Sequence, residues 1–91
     1  MTKQQRTILF SGNVQGVGFR YTACQVARRY DIGGYVRNLS DGRVECIAEG
    51  DREEIDAFLA ELCEAMRGCI RHTSEQTAPW SGRFAEFGVR Y

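Results

Sequence analysis

Three glycines within seven residues, Gly12, Gly16 and Gly18, separate a short apolar run from a helix-like run, and the stretch ends on Arg20. No other segment narrows the fold so far, since it requires a strand that turns through a glycine loop into a helix. Glycines let neighbouring N–H groups converge on one point, and a helix N-terminus adds unsatisfied donors and about half a positive charge. Arg20 brings a planar guanidinium that can grip two oxygens of one phosphate. The glycines by themselves fit two readings equally, an anion site and a tight turn that merely packs a strand on a helix. The familiar nucleotide fingerprints are missing: no Gly-Lys-Ser/Thr follows, and glycines at 12, 16 and 18 do not make G-x-G-x-x-G.

The flanks of the loop predict the rest. Residues 7–11 alternate as a strand, with Ile8 and Phe10 on one face and Leu9 on the other. Ala23, Val26, Ala27 and Tyr30 fall on one stripe of a helix over about 21–30, which Asp31-Ile32-Gly33-Gly34 is expected to end. Residues 35–39 read as a strand, Asp41-Gly42 as a hairpin turn, and 43–49 as the returning strand with Val44, Cys46 and Ala48 inward. Asp51 is expected to cap the second helix, with Glu54 in the reciprocal position. Ile55, Phe58, Leu59, Leu62 and Met66 form its apolar stripe, and Gly68 closes it. Residues 69–77 suggest an edge strand, 77–82 a loop, and 84–91 a last strand with Phe87, Val89 and Tyr91 on one face. The order predicts an α+β, ferredoxin-like βαββαβ sandwich: one antiparallel sheet, both helices on one face, and a short extra C-terminal strand. If the third strand lies between the first and second, Arg20 and Asn38 have to reach across a neighbour.

Ninety-one residues suit a single domain spanning 1–91. Twelve basic and twelve acidic side chains cancel, so no overall charge draws the chain to nucleic acid or an anionic membrane. The distribution is uneven, because residues 1–30 carry Lys3, Arg6, Arg20, Arg28 and Arg29 and no acid. Arg28 and Arg29 read as complements to the C-terminal end of a helix dipole. No apolar run of about 18 residues and no apolar leader core is present, which points to a cytoplasmic chain with no membrane partner. Cys24, Cys46, Cys63 and Cys69 show no C-x-x-C spacing and read as small buried or half-buried side chains, not as a zinc or redox set.

Val14-Gln15-Gly16-Val17-Gly18-Phe19-Arg20, followed by Gly34-Tyr35-Val36-Arg37-Asn38-Leu39 and Asp41-Gly42, closely resembles the acylphosphatase family, and the element order matches over the whole chain. The resemblance implies a small, monomeric hydrolase, free of metal and cofactor, that cleaves acyl phosphates into a carboxylate and inorganic phosphate. It implies substrate binding by Gln15, Gly16, Val17, Gly18, Phe19 and Arg20, with Arg20 as the phosphate-binding arginine and Asn38 as holder of the attacking water. Two departures stand out: Asn13 where a basic residue is common, which lowers substrate attraction slightly, and Tyr35 where tryptophan is frequent, a core exchange.

The chemistry needs no acid–base pair. An acyl phosphate is a mixed anhydride whose leaving group is a carboxylate, the conjugate base of an acid of pKa about 4, so it departs unprotonated. His72, the one histidine, lies far along the chain in a poorly apolar strand and is not needed for the chemistry. Asn38 also has a local reading, a strand-end amide that satisfies the following turn. Two other classes compete. One is a binding domain of the same fold, as in larger hydrogenase-maturation proteins, that holds carbamoyl phosphate or an acylated partner without rapid turnover. The other is RNA binding on the sheet, which the third strand disfavours because Glu45, Cys46 and Glu49 offer no stacking ring.

Overall fold

A computed structural model describes residues 2–91. Seven elements follow in order: β1 (Lys3–Gly12), α1 (Phe19–Ala27), β2 (Ile32–Asn38), β3 (Val44–Asp51), α2 (Arg52–Ala65), β4 (Ile70–Pro79) and β5 (Phe87–Val89). The five strands form one sheet in the order β4-β1-β3-β2-β5, and the first four pair antiparallel. The ferredoxin-like α+β architecture predicted from the element order is the one observed. One feature of the prediction is corrected: β5 pairs parallel to β2, so the sheet is mixed.

Alternation decides which face each strand buries. Ile8 stands opposite Cys46, and Cys46 opposite Val36, while Phe10 faces Val44. All five are buried under the helices together with Ile55, Phe58, Leu59, Leu62 and Met66 from the stripe of α2. Each Val, Leu, Ile, Phe or Met side chain among them, when fully buried, stabilises the fold by about 1.5–3 kcal/mol. Ala23, Val26 and Ala27 of α1 join the same core, as its stripe predicts. β1 is longer than the apolar run 7–11 because it is paired on both sides. Its polar start, Lys3 to Gln5, is held by ladder bonds and not by burial.

Several local expectations change. Gly33 and Gly34 do not end α1; they lie inside β2, and α1 ends at Ala27 with Arg28 as its C-cap. The reason is room: a Cβ on Gly34, whose φ is +141°, would lie 1.8 Å from the carbonyl oxygen of Ile47. Asp51 is the N-cap residue of α2 but makes no side-chain cap bond, and its buried Oδ1 has no partner among the described residues. Glu54 is spent elsewhere, accepting the Asp31 N–H at 2.7 Å, so the reciprocal cap does not form. The loop expected at 77–82 begins later, because Thr77, Ala78 and Pro79 still pair with β1. Pro79 closes this edge strand, where it forfeits no inward ladder donor. The last strand shrinks from 84–91 to Phe87–Val89.

Between β4 and β5 the chain crosses the helix-free face of the sheet from one edge to the other. Glu49, buried on β3, accepts from the Ser81 and Gly82 N–H groups at 2.9 and 3.1 Å and from Gln5 Nε2 at 2.7 Å. Tyr35 also lies on this face, outside the helix-side core, against Phe84 and under the Arg90 guanidinium at 3.9 Å from its ring centre. Cys63 corrects the reading of the cysteines: it follows Leu62 by one residue, turns off the buried stripe of α2 and is exposed. Cys46 is buried, Cys24 and Cys69 are half-buried, and all four are unpaired. No described helix is long and apolar enough to cross a membrane.

Candidate functional site

The loop 13–18 leaves β1, and α1 begins at once after it. Gly16 and Gly18 both take φ of +78°, with open space around them, so backbone conformation and not crowding requires glycine there. Gly18 is the N-cap of α1 in the left-handed region and brings no side-chain cap, which leaves the first-turn N–H groups of the helix open. Val14 is fully buried and anchors the loop to the core. Gln15 spans to the β2–β3 hairpin, its Nε2 donating to the carbonyls of Leu39 and Arg43 at 2.8 and 2.9 Å.

β3 does lie between β1 and β2, yet Arg20 and Asn38 are not kept apart. Arg20 rides on α1, which packs on β2 and β5 and so stands over the strand that ends in Asn38. A cleft of about 410 Å³ opens there, lined by Arg20, Asn38, Gly16 and Gly18 at one end. Phe19 also lines the cleft, and its ring is buried 5.0 Å from that of Phe10. Of the six residues expected to bind substrate, Gly16, Gly18, Phe19 and Arg20 line the cleft. Gln15 and Val17 do not: Gln15 braces the hairpin, and Val17 is exposed.

Arg20 is half-buried and makes no ion pair among the described residues; its guanidinium sits 5.1 Å from the ring centre of Tyr91. No acidic side chain and no histidine lines the cleft. His72 lies on the exposed edge strand opposite Ser11. The local reading of Asn38 loses its basis, because the turn is satisfied without it. Leu39 N–H donates to Arg43 O at 2.8 Å, Gly42 N–H to Leu39 O at 3.2 Å, and Arg43 N–H to Asp41 Oδ1 at 3.1 Å. The Asn38 amide has no side-chain hydrogen bond among the described residues and is exposed at the cleft. An open helix end, an unpaired guanidinium and a free amide around one hollow can hold an anion and orient a water beside it.

Sequence reasoning missed the other wall of the cleft. Tyr21, Cys24, Gln25 and Arg28 lie along α1, while Val89 and Tyr91 come from the C-terminal stretch. The four-residue spacing of Arg20, Cys24 and Arg28 is a signal for a shared helix face. Nothing local places Tyr91 over Arg20, since that depends on β5 docking beside β2. Burial pushes the Cys24 thiol up more than the nearby Arg28 charge pulls it down, so this cleft cysteine is a poor nucleophile. No group of three or more metal-ligating side chains occurs among the described residues.

The acylphosphatase family model matches residues 6–89. An acylphosphatase of Methylococcus capsulatus is 43% identical over 84 residues, covering 90% of this chain and 90% of that protein. The crystal structure of acylphosphatase from Bacillus subtilis superposes with a TM-score of 0.89 at 30% identity, over 97% of this chain and 99% of that one. Full-length HypF, solved in a phosphate- and nucleotide-bound form, superposes at 0.88 with 28% identity, over 99% of this chain and 12% of its own.

Proposed function

The chain belongs to the acylphosphatase family, and we propose that it hydrolyses the carboxyl–phosphate bond of acyl phosphates, releasing a carboxylate and inorganic phosphate. The observation that carries this reading is the meeting of Arg20, Asn38 and the open N-terminus of α1 around one cleft without an acidic side chain. The loop N–H groups and the Arg20 fork take the phosphoryl oxygens, and the fixed charge offsets what develops on them in the transition state. The Asn38 amide holds a water in line behind phosphorus. Water oxygen bonds to phosphorus, the P–O bond to the acyl group breaks, and the carboxylate leaves with that electron pair. The proton lost by the water goes to a phosphate oxygen, so no side-chain base takes part. Positioning and electrostatics supply the rate.

Phosphate release from benzoyl phosphate tests the reading and separates a hydrolase from a binding domain of the same fold. Turnover is expected to survive chelator and reductant, and Arg20→Lys is expected to lower kcat/KM by at least ~10², because the lysine keeps the charge but not the fork. A chain that binds phosphate yet releases none from benzoyl phosphate is a binder. A lysine variant with near-native turnover removes the guanidinium from its role.

A further inference from the structure

The cleft extends beyond the anion site. From Arg20 it follows α1 past Cys24 and Gln25 to Arg28, about two turns on, with Val89 and Tyr91 as its other wall. The two arginines that close α1 have separate fates. Arg29 pairs with Glu61, whose other oxygen accepts from the Tyr30 hydroxyl at 2.7 Å. Arg28 is exposed, lines the cleft and has no ion-pair partner among the described residues. Glu86 borders a neighbouring hollow with Arg28 but forms no ion pair with it. One groove thus holds an unpaired cation at each end, with an uncharged floor between them. A helix-dipole role explains why an arginine is tolerated at Arg28; it does not explain why the groove runs to it.

We propose that Arg28 is a second anion contact, which makes the enzyme prefer acyl phosphates whose acyl group ends in a carboxylate over those with a neutral acyl group. The proposal rests on the hydrolase reading above. With the phosphoryl group at Arg20, the acyl chain lies along α1 over Cys24, toward Arg28. The backbones of the two arginines are about 12 Å apart along the helix, and side chains on a helix tilt toward its N-terminal end, so the long Arg28 side chain can shorten that span to the reach of a short diacid. Arg28 touches the far end of the substrate and not the reacting atoms, so it sets specificity and leaves the bond-breaking step to the other end.

Steady-state phosphate release from succinyl phosphate and from benzoyl phosphate, measured side by side, tests it. In Arg28→Gln the succinyl-to-benzoyl ratio of kcat/KM is expected to fall about three- to fivefold, the size of one exposed ion pair, through a higher KM for succinyl phosphate. Arg28→Lys is expected to keep most of the ratio, since a charge at that end is what counts. In the unaltered protein the same ratio is expected to shrink as salt rises to about 0.5 M, because screening acts on the additional exposed contact. A ratio unmoved by both the glutamine variant and salt overturns the subsite and leaves the hydrolase intact. Release of phosphate from neither substrate by the unaltered protein overturns the hydrolase reading and the subsite with it.

Discussion

Asn38 ends a strand with its amide unspent, so its contribution can be removed without dismantling the turn that follows. Replacement by alanine is expected to lower kcat by roughly 10²–10³ while inorganic phosphate, as a competitive inhibitor, binds about as before. The thermal midpoint should barely move, because no side-chain hydrogen bond is lost. An inhibition constant that rises in step with the fall in kcat would assign Asn38 to the anion site. A collapsed midpoint would make it structural. Arg20 differs in having an aromatic ring, that of Tyr91, beside its guanidinium, a contact that favours one placement of the fork.

The connection between β1 and α1 works because Gln15 ties it to the β2–β3 hairpin, and the two carbonyls it bridges flank the turn next to Asn38. The loop that carries the open helix end and the hairpin that carries the amide are thereby held in register. Each neutral hydrogen bond contributes about 0.5–1.5 kcal/mol, so Gln15→Ala is expected to cost about 1–2 kcal/mol and lower the midpoint by several degrees. Gln15→Glu should be worse than alanine despite its size, since an ionised carboxylate has no donor and would face two carbonyl oxygens. Thermal melts of the two variants decide it: equal midpoints, or a more stable glutamate variant, would show that the amide donors do not brace the loop.

The path of the chain over the helix-free face depends on one carboxylate. Burial pushes the Glu49 carboxyl up, but hydrogen bonds from Ser81, Gln5 and Gly82 outweigh it and hold the group below the usual carboxylate range. A carboxyl depressed in the folded state contributes stability that is fully present above its unfolded value, about 4.3, and is lost as pH falls through the folded value. Glu49→Gln is expected to cost about 1–3 kcal/mol at neutral pH. The gap from the unaltered protein should stay constant down to about pH 5 and close in more acidic solution, once Glu49 itself is protonated. A gap independent of pH would mean that the clamp acts through shape and not charge. The clamp matters beyond stability, because residues 80–86 deliver β5 to the edge of β2 and with it Val89 and Tyr91 to the cleft.

What the chain encodes locally was legible before any coordinates. Ile8 with Phe10, Val44 with Cys46 and Ala48, and the α2 stripe from Ile55 to Met66 are buried as their periods require, since a side chain's face follows from the spacing of its own neighbours. The strand–loop–helix unit at Gly12 to Arg20 and the Asp41-Gly42 turn were equally visible, being set by a few adjacent backbone angles. Gly33 and Gly34 misled because their purpose is the closeness of Phe84 and Ile47, residues far along the chain. Asp51 and Glu54 form a cap pattern, yet Asp31 took the glutamate from outside the helix. The sharing of one cleft by Arg20 and Asn38, with Tyr91 and Arg28 as company, was decided by where α1 seats on the sheet and by the parallel docking of β5. Those are contacts between distant segments, chosen by packing and hydrogen bonding over the whole sheet, and no window of neighbouring residues contains them.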